Sequence, residues 1–392
     1  MRRKPEALAH ALADLEARHL LRRRKLVDEA LQDFSSNDYL GLRRHPAVRA
    51  AMAECAATQV AGAGASHLVS GHHAVHHELE CALADFTGYE AALVFSTGYM
   101  ANLGALSALL ERDDLLLQDR LNHASLLDAG ILARVRESHR YPHADVTAAT
   151  ALLDDFRSRR PQAGALLATD GVFSMDGDVA PLPALAAAAK DREAWLVVDD
   201  AHGIGVIGAD GRGSIEHHGL GSADVPVLIG TFGKALGTFG AFVAGEKSLI
   251  EWLLQRARTY IYTTALPPPI AAATCKALQL VAAEAWRREK LTELVGHFRE
   301  TAKQRGLPLL DSHTPIQPIV LGDPQLTLTT SASLQARGFG VPAIRPPTVP
   351  LGSARLRVTL SAEHSRAQID SLIAAICAAI EQASTASAET AS

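Results

Sequence analysis

Between about Val48 and Ala272, short β-branched or leucine-rich runs alternate with longer Ala/Leu stretches of helical period. That alternation predicts an α/β domain whose mostly parallel sheet is covered by helices. Strands are expected at Ala91–Phe95, Leu115–Gln118, Ala165–Thr169, Trp195–Asp199, Val227–Thr231 and Gly240–Ala244. Several of these runs stop at a polar or glycine-rich turn, and α/β sheets gather their ligands at the carboxyl ends of strands. The pattern breaks at Leu266-Pro267-Pro268-Pro269, after which Ile270 to Arg305 reads as long helix and Ile316 to Thr359 as short strands and turns. The expected organisation is an N-terminal helical and basic segment with an arm over residues 1–47, a large ligand-binding domain over 48–272, a smaller C-terminal α+β domain over 273–381, and a fraying Ala/Ser/Thr/Glu-rich tail over 382–392.

Composition narrows the class. A chain of 392 residues, 48% hydrophobic and 21% charged, can bury a large core and exceeds one ordinary domain. Its formal net charge of −5 argues against nucleic acid or an anionic membrane as partner and favours a small-molecule substrate. Positive charge is concentrated only near the N-terminus, where Arg2, Arg3, Lys4 and then Arg22, Arg23, Arg24, Lys25 flank an Ala/Leu-rich stretch read as a solvated amphipathic helix. Four cysteines, Cys55, Cys81, Cys275 and Cys377, are widely spaced without a C-x-x-C pair, so neither a disulfide framework nor a zinc site is expected. No apolar run reaches spanning length, and Ala7 to Leu15 is broken by His10 and Asp14; a cytoplasmic protein is expected.

The chemistry gathers at three strand ends. Trp195-Leu-Val-Val-Asp199-Asp200-Ala201-His202 is an apolar strand that stops in two carboxylates and a histidine. One aspartate can cap a turn, but two with a histidine favour a ligand bearing a protonatable group. Val227-Leu-Ile-Gly-Thr231-Phe-Gly-Lys234 leads from a second strand into glycines around one lysine. Burying that lysine charged is costly, and Schiff-base formation with a carbonyl cofactor is one route to neutralising it. Together Asp199 and Lys234 supply what a pyridoxal ring needs: an anion for the pyridinium nitrogen and an amine for the aldehyde. Phe95-Ser96-Thr97-Gly98-Tyr99 adds a strand, a hydroxyl-glycine turn and a helix start suited to phosphate.

Other motifs carry less. Gly203-Ile-Gly205-Val-Ile-Gly208 matches G-x-G-x-x-G but does not come directly off a strand or open a helix, so a dinucleotide fingerprint is not expected. A Walker A loop around Lys234 would need Gly at Leu228 and Ser or Thr at Ala235. His72, His73, His76 and His77 include i, i+4 pairs, yet solvated or packing roles are expected of them rather than metal binding, and no metal site is assigned.

Taken in order, the motifs resemble those of the α-oxoamine synthases, fold-type I pyridoxal-phosphate enzymes of the class II aminotransferase group. They run from Phe34-Ser-Ser-Asn-Asp-Tyr-Leu-Gly41 through Asn122-His-Ala-Ser125, Asp170-Gly-Val-Phe-Ser-Met-Asp-Gly177, Asp199-Asp-Ala-His-Gly203, Thr231-Phe-Gly-Lys234 and Tyr260-Ile-Tyr-Thr-Thr264 to Ile344-Arg-Pro-Pro-Thr-Val-Pro350. The resemblance implies decarboxylative condensation of an amino acid with an acyl thioester. Arg345-Pro-Pro-Thr348-Val-Pro resembles the branch that joins L-alanine to pimeloyl-CoA or a pimeloyl carrier protein; glycine- or serine-using siblings are the alternative, and a non-catalytic binding protein on the same fold a more distant one. By the same resemblance Lys234 forms the Schiff base and serves as base, Asp199 faces the pyridinium nitrogen, His202 the phenolic oxygen, and His123 the ring face. Gly98, Tyr99, Ser174 and Thr231 complete the cofactor positions, with Thr264 reaching the phosphate from a neighbouring subunit of a homodimer. Arg345 holds the substrate carboxylate, and Thr348, Asn37 and Arg22 are further substrate-side positions. The chain departs from the family at a shortened stretch between Arg24 and Phe34, and at Asp170, where related enzymes often have Glu; Asp170 stays outside the expected catalytic set.

Overall fold

The computed structural model describes residues 5–18, 20–24 and 26–391; of the basic residues named above, Arg2, Arg3, Lys4 and Lys25 lie outside them. The chain divides into two units: Asn37–Ser174 with Asp178–Lys290, and Met1–Ser36 with Met175–Gly177 and Leu291–Ser392.

The larger unit holds a seven-stranded sheet in the spatial order Ala91–Phe95, Ala241–Gly245, Val227–Thr231, Trp195–Asp199, Ala165–Asp170, Leu115–Asp119, Glu137–Tyr141. Pairing is parallel from Val227–Thr231 to the Glu137–Tyr141 edge, and Ala241–Gly245 runs antiparallel to both its neighbours. Leu115–Asp119 and Ala165–Asp170 are buried along their whole length, which is why they read as unbroken apolar runs. Six expected strands are present, three of them displaced or extended by one residue. The seventh, Glu137-Ser-His-Arg-Tyr141, was not expected: it is an edge strand buried only at Tyr141, so it lacks an apolar signature.

Helix Gly98–Leu109 is apolar on every side because it is sunk into the core, where Ala101, Ala105 and Leu106 pack with Phe95, Leu126, Val243 and Tyr260. Thr97 caps it by accepting the Met100 N–H at 3.1 Å. After the proline run, the expected single helix is two, Pro268–Ala283 and Trp286–Gln304, because Glu284 leaves helical geometry at φ −111°, ψ 56°. The boundary expected at 272/273 thus falls within the Pro268–Ala283 helix, whereas the units divide at 290/291.

In the smaller unit, Ala343–Ile344, Ala354–Thr359 and Ile316–Gly322 form an antiparallel three-stranded sheet. Gln32–Asp33 of the N-terminal arm pairs in parallel with Phe339–Gly340. Helix Pro324–Ala336 was expected as strand and turn; its Thr/Ser content hides the helical period, although Asp323 capping the Leu326 N–H at 2.7 Å and Pro324 in the first turn mark its start. The last helix, Arg366–Ala391, runs through the segment from Gln382 that was expected to fray, consistent with alanine's high helix propensity.

Gly104 shows how tightly the central helix is seated. A Cβ there would sit 2.5 Å from Thr259 Oγ1 and 3.0 Å from the Phe95 ring. Alanine would gain about 1 kcal/mol in helix propensity, but overpacking costs roughly 1–3 kcal/mol. Gly104→Ala is expected to lower the urea midpoint, with a net loss of up to about 2 kcal/mol; an unchanged or raised midpoint contradicts this packing.

Candidate active site at the strand ends

Sheet register brings the carboxylates together. Asp170 and Asp199 are direct partners on adjacent parallel strands, so their side chains leave the same face side by side. Asp199 is buried, its Oδ1 accepting the Ala201 N–H at 3.1 Å and its Oδ2 the Asn102 side-chain amide at 2.6 Å. Asn102 also donates to Ser125 Oγ at 2.7 Å, and Ser125 lies 2.7 Å from His123 Nδ1. Because Asn102 supplies the hydrogen to Ser125, the serine hydroxyl donates to Nδ1, which leaves a neutral His123 protonated on Nε2. His123 is also the N-cap of helix Ala124–Ala133, accepting the Ser125 N–H at 3.3 Å.

The charges are interdependent. Burial, followed by the neighbouring Asp199 charge, raises the Asp170 carboxyl well above its ordinary value, with Lys234 and the His123 N–H opposing. Asp170 Oδ2 accepts that N–H at 3.0 Å, while its Oδ1 has no protein partner. Burial also pulls the exposed-edged His123 below the ordinary imidazole range, reinforced by Lys234 and opposed by Asp199 and Asp128. Lys234 therefore stands within electrostatic reach of both, on the turn after Val227–Thr231.

Asp200 points the other way. Its Oδ2 accepts the Ser214 N–H at 2.6 Å, and burial pushes its carboxyl up to about 7. Glycines close over it: a Cβ at Gly203 would meet its Oδ1 at 2.1 Å, and one at Gly213, where φ is +96°, its Oδ2 at 1.9 Å. The second aspartate and the glycine-rich stretch after it thus form one structural plug.

His202 is buried, with Nδ1 2.6 Å from the Tyr39 hydroxyl, which also lies 3.3 Å from Asn37 Oδ1. Gly98 opens its helix where a Cβ would lie 4.0 Å from the Thr231 side chain, so the helix N-terminus and Thr231 share one locale. Tyr99 donates to Asp128. Ser174 is half-buried in the loop after Ala165–Asp170, and the Thr264 carbonyl accepts from Ser96 Oγ at 3.5 Å. Arg22, Arg345 and Thr348 lie in the smaller unit: Arg22 donates to Thr348 Oγ1 at 3.4 Å, and Arg345 to the Leu21 carbonyl at 2.9 Å. Of the three adjacent arginines, Arg23 instead pairs with Glu16.

Behind the site, His143 bridges two loops, Nδ1 meeting Asp119 at 3.1 Å and Nε2 meeting Asp178 at 2.9 Å. Sequence reasoning missed this bridge together with Asn102, Ser125 and Tyr39. Asn102 alone left a signal, an amide inside an apolar helix. The assembled groups can hold a planar protonated heteroaromatic ring by its nitrogen and one face, present an amine to its edge, and offer backbone N–H groups to an anionic tail.

This fold and site define a member of the class I and II aminotransferase family, whose model matches residues 30–376. The 8-amino-7-oxononanoate synthase of Methylococcus capsulatus (strain Bath) is 56% identical over 386 residues, covering 95% of this chain and 98% of that protein. Among solved structures, serine palmitoyltransferase from S. paucimobilis with a PLP–myriocin aldimine superposes with a TM-score of 0.89 at 30% identity, over 97% and 98% of the two chains. The 8-amino-7-oxononanoate synthase of Francisella tularensis gives 0.77 at 29% identity, over 91% and 99%. The chain belongs to the 8-amino-7-oxononanoate synthase family within that larger one.

The His143 bridge carries a pH prediction. Burial opposes its protonation, but hydrogen bonds to Asp119 and Asp178 and their charges outweigh that and push it up to about 10. A raised folded value means the bridge stabilises fully below the unfolded value near 6.5 and is lost as pH rises through about 10. His143→Gln is expected to cost roughly 1.5–3 kcal/mol at pH 6.5, and the gap from wild type to narrow by pH 10.5. Urea unfolding at both pH values measures it; a constant gap removes the imidazolium from the account.

Proposed function

We propose that the protein condenses L-alanine with a pimeloyl thioester, carried by coenzyme A or an acyl-carrier protein, to give 8-amino-7-oxononanoate, carbon dioxide and the free thiol, the biotin-pathway reaction. The 56% identity to a synthase of that name over nearly the whole chain carries this reading. A cytoplasmic homodimer with shared sites belongs to the same proposal, in keeping with four free cysteines among the described residues.

Pyridoxal 5′-phosphate fits the residues present: Asp199 is a buried, oriented carboxylate, and the unpartnered Asp170 Oδ1 leaves polar capacity beside it. When bound, this group accepts the electron pair released as the alanine Cα loses its proton. Asp199 holds the proton on the ring nitrogen, and Asn102 fixes that carboxylate's orientation. The Tyr39 hydroxyl, 2.6 Å from His202 Nδ1, fixes the orientation of the ring whose Nε2 would face the phenolic oxygen. His123 would lie against the ring face. Gly98, Tyr99, Ser174 and Thr231 receive the cofactor's polar groups, with Thr264 contributed by the partner subunit. The Lys234 amine would hold the cofactor through its aldehyde carbon and, when free, would be the base for the alanine Cα proton. Arg345 receives the alanine carboxylate through its planar guanidinium, and Arg22, Asn37 and Thr348 define the rest of the substrate side.

Alanine with a pimeloyl thioester should release thiol and carbon dioxide in equal amounts. Release with glycine or serine and none with alanine overturns the substrate assignment in favour of a sibling activity. Lys234→Ala is expected to lose the visible absorbance of the lysine-bound cofactor and at least about 10²–10⁴-fold in turnover. Retained absorbance, or peptide mapping after borohydride reduction that finds another lysine modified, contradicts the anchoring role.

A further inference from the structure

The histidines around residue 72 divide by what their nitrogens already do. His76 is fully buried, with Nδ1 accepting the His73 N–H at 3.0 Å and Nε2 donating to the Leu266 carbonyl at 2.6 Å, so both nitrogens serve the fold. His67 is buried against Tyr260, ring on ring at 4.9 Å, and its Nδ1 lies 3.0 Å from His72 Nδ1, which leaves His72 Nε2 for a further ligand. His72 and His77 are exposed. Candidate ligand atoms of His72, His77 and Glu80 all lie within 4.8 Å of one another.

Local structure explains the convergence. His77 and Glu80 are one turn apart on helix Ala74–Thr87, hence on one face, and His72 ends the tight turn that precedes the helix. The Glu80 carboxylate is steadied because Oε1 accepts the Val94 N–H at 3.1 Å, the outer-shell support that metal-binding carboxylates use. One residue further on, Cys81 Sγ lies 3.7 Å from His77 Nε2. Zinc bound tetrahedrally by a thiolate and an imidazole would hold those atoms about 3.6 Å apart, given Zn–S near 2.3 Å and Zn–N near 2.0–2.1 Å. The spacing H-x4-H-x2-E-C therefore carries the carboxylate and the cysteine that the histidines alone lacked.

We propose that His72, His77 and Glu80 bind one divalent transition-metal ion of the zinc class, with the Cys81 thiolate, which adjoins His77 but lies outside that three-donor cluster, turning in as the fourth donor. Two imidazoles, a carboxylate and a thiolate form a set suited to Zn²⁺ or Co²⁺ rather than Mg²⁺ or Ca²⁺. An ion there would clamp the turn at His72 to the helix, and through Glu80 to the edge of strand Ala91–Phe95.

Cobalt titration of the untagged, cofactor-loaded protein after chelator dialysis tests the site. One equivalent of Co²⁺ per chain is expected, with a thiolate charge-transfer band, displaced by Zn²⁺ but not by excess Mg²⁺. His77→Ala, an exposed position that leaves the fold intact, should weaken binding about tenfold or more, as should Glu80→Gln, checked for native circular dichroism. No saturable binding, or wild-type affinity in His77→Ala, overturns the site; a wild-type spectrum lacking the thiolate band, or one unchanged in Cys81→Ser, overturns the part given to Cys81.

Discussion

A buried carboxylate at the end of a central strand is the constraint around which the larger unit is arranged. Leaving Asp199 in a low-dielectric interior without partners would cost several kcal/mol. Asn102 and the Ala201 N–H meet that cost and fix which way the carboxylate faces. Register then sets Asp170 beside it, and two adjacent carboxylates in apolar surroundings cannot both ionise cheaply. Burial and the neighbouring Asp199 charge raise the Asp170 carboxyl well above its ordinary value, so negative charge is disfavoured at that second position. Asn102 reaches Asp199 only because helix Gly98–Leu109 lies deep in the core, which Gly104 permits. The same helix places its N-terminus beside Thr231, so the element whose Asn102 orients Asp199 would also offer its positive end to an anionic tail.

Asp200 and His143 extend the logic outward. Asp200 lies on the opposite face of the strand end, and the glycines at 203 and 213 exist because its carboxyl leaves no room for side chains. His143 does for loops what Asn102 does for a side chain, tying the end of strand Leu115–Asp119 to Asp178 through a doubly bonded imidazolium. Both groups are charged or polar, both sit next to the site, and neither needs to touch a ligand to matter.

Much of this was legible in the chain. Buried parallel strands announce themselves as apolar runs, and Asp199, His202 and Lys234 stood out because charged groups should not end such runs without cause. What stayed hidden was relational. Glu137–Tyr141 is an edge strand whose partner, not its composition, makes it a strand. Tyr39, Asn102, Ser125 and His143 act through residues 163, 97, 23 and 24 or 35 positions away, and no local pattern reports such pairings. Two carboxylates at one strand end pointed to a ligand with a protonatable group, and strand alternation sends Asp199 to the site and Asp200 to the core. Asp170 was set aside as a departure from Glu, yet register gives it the closest electrostatic relation to Asp199.

The two units carry different parts of the functional question. The proton handling and charge placement proposed for Asp199, Asn102, His123, His202 and Lys234 fall to residues of the larger unit, and would serve any amino acid whose Cα proton must be removed. Selection among amino acids and acyl donors needs groups that read a carboxylate and a chain, and the arginines proposed for that task lie in the smaller unit. There the N-terminal stretch acquires a meaning. With few residues between Arg24 and the strand pair at Gln32–Asp33, the segment is held at both ends: Arg345 donates to the Leu21 carbonyl, and Arg22 reaches Thr348. Two residues on a loop that also contains a proline pair thereby define which N-terminal arginine faces the same side as Arg345. Arg23, paired with Glu16, is already committed elsewhere. A substitution at Arg22 would disturb two elements at once, whereas one at Arg23 would disturb only an exposed ion pair of small worth.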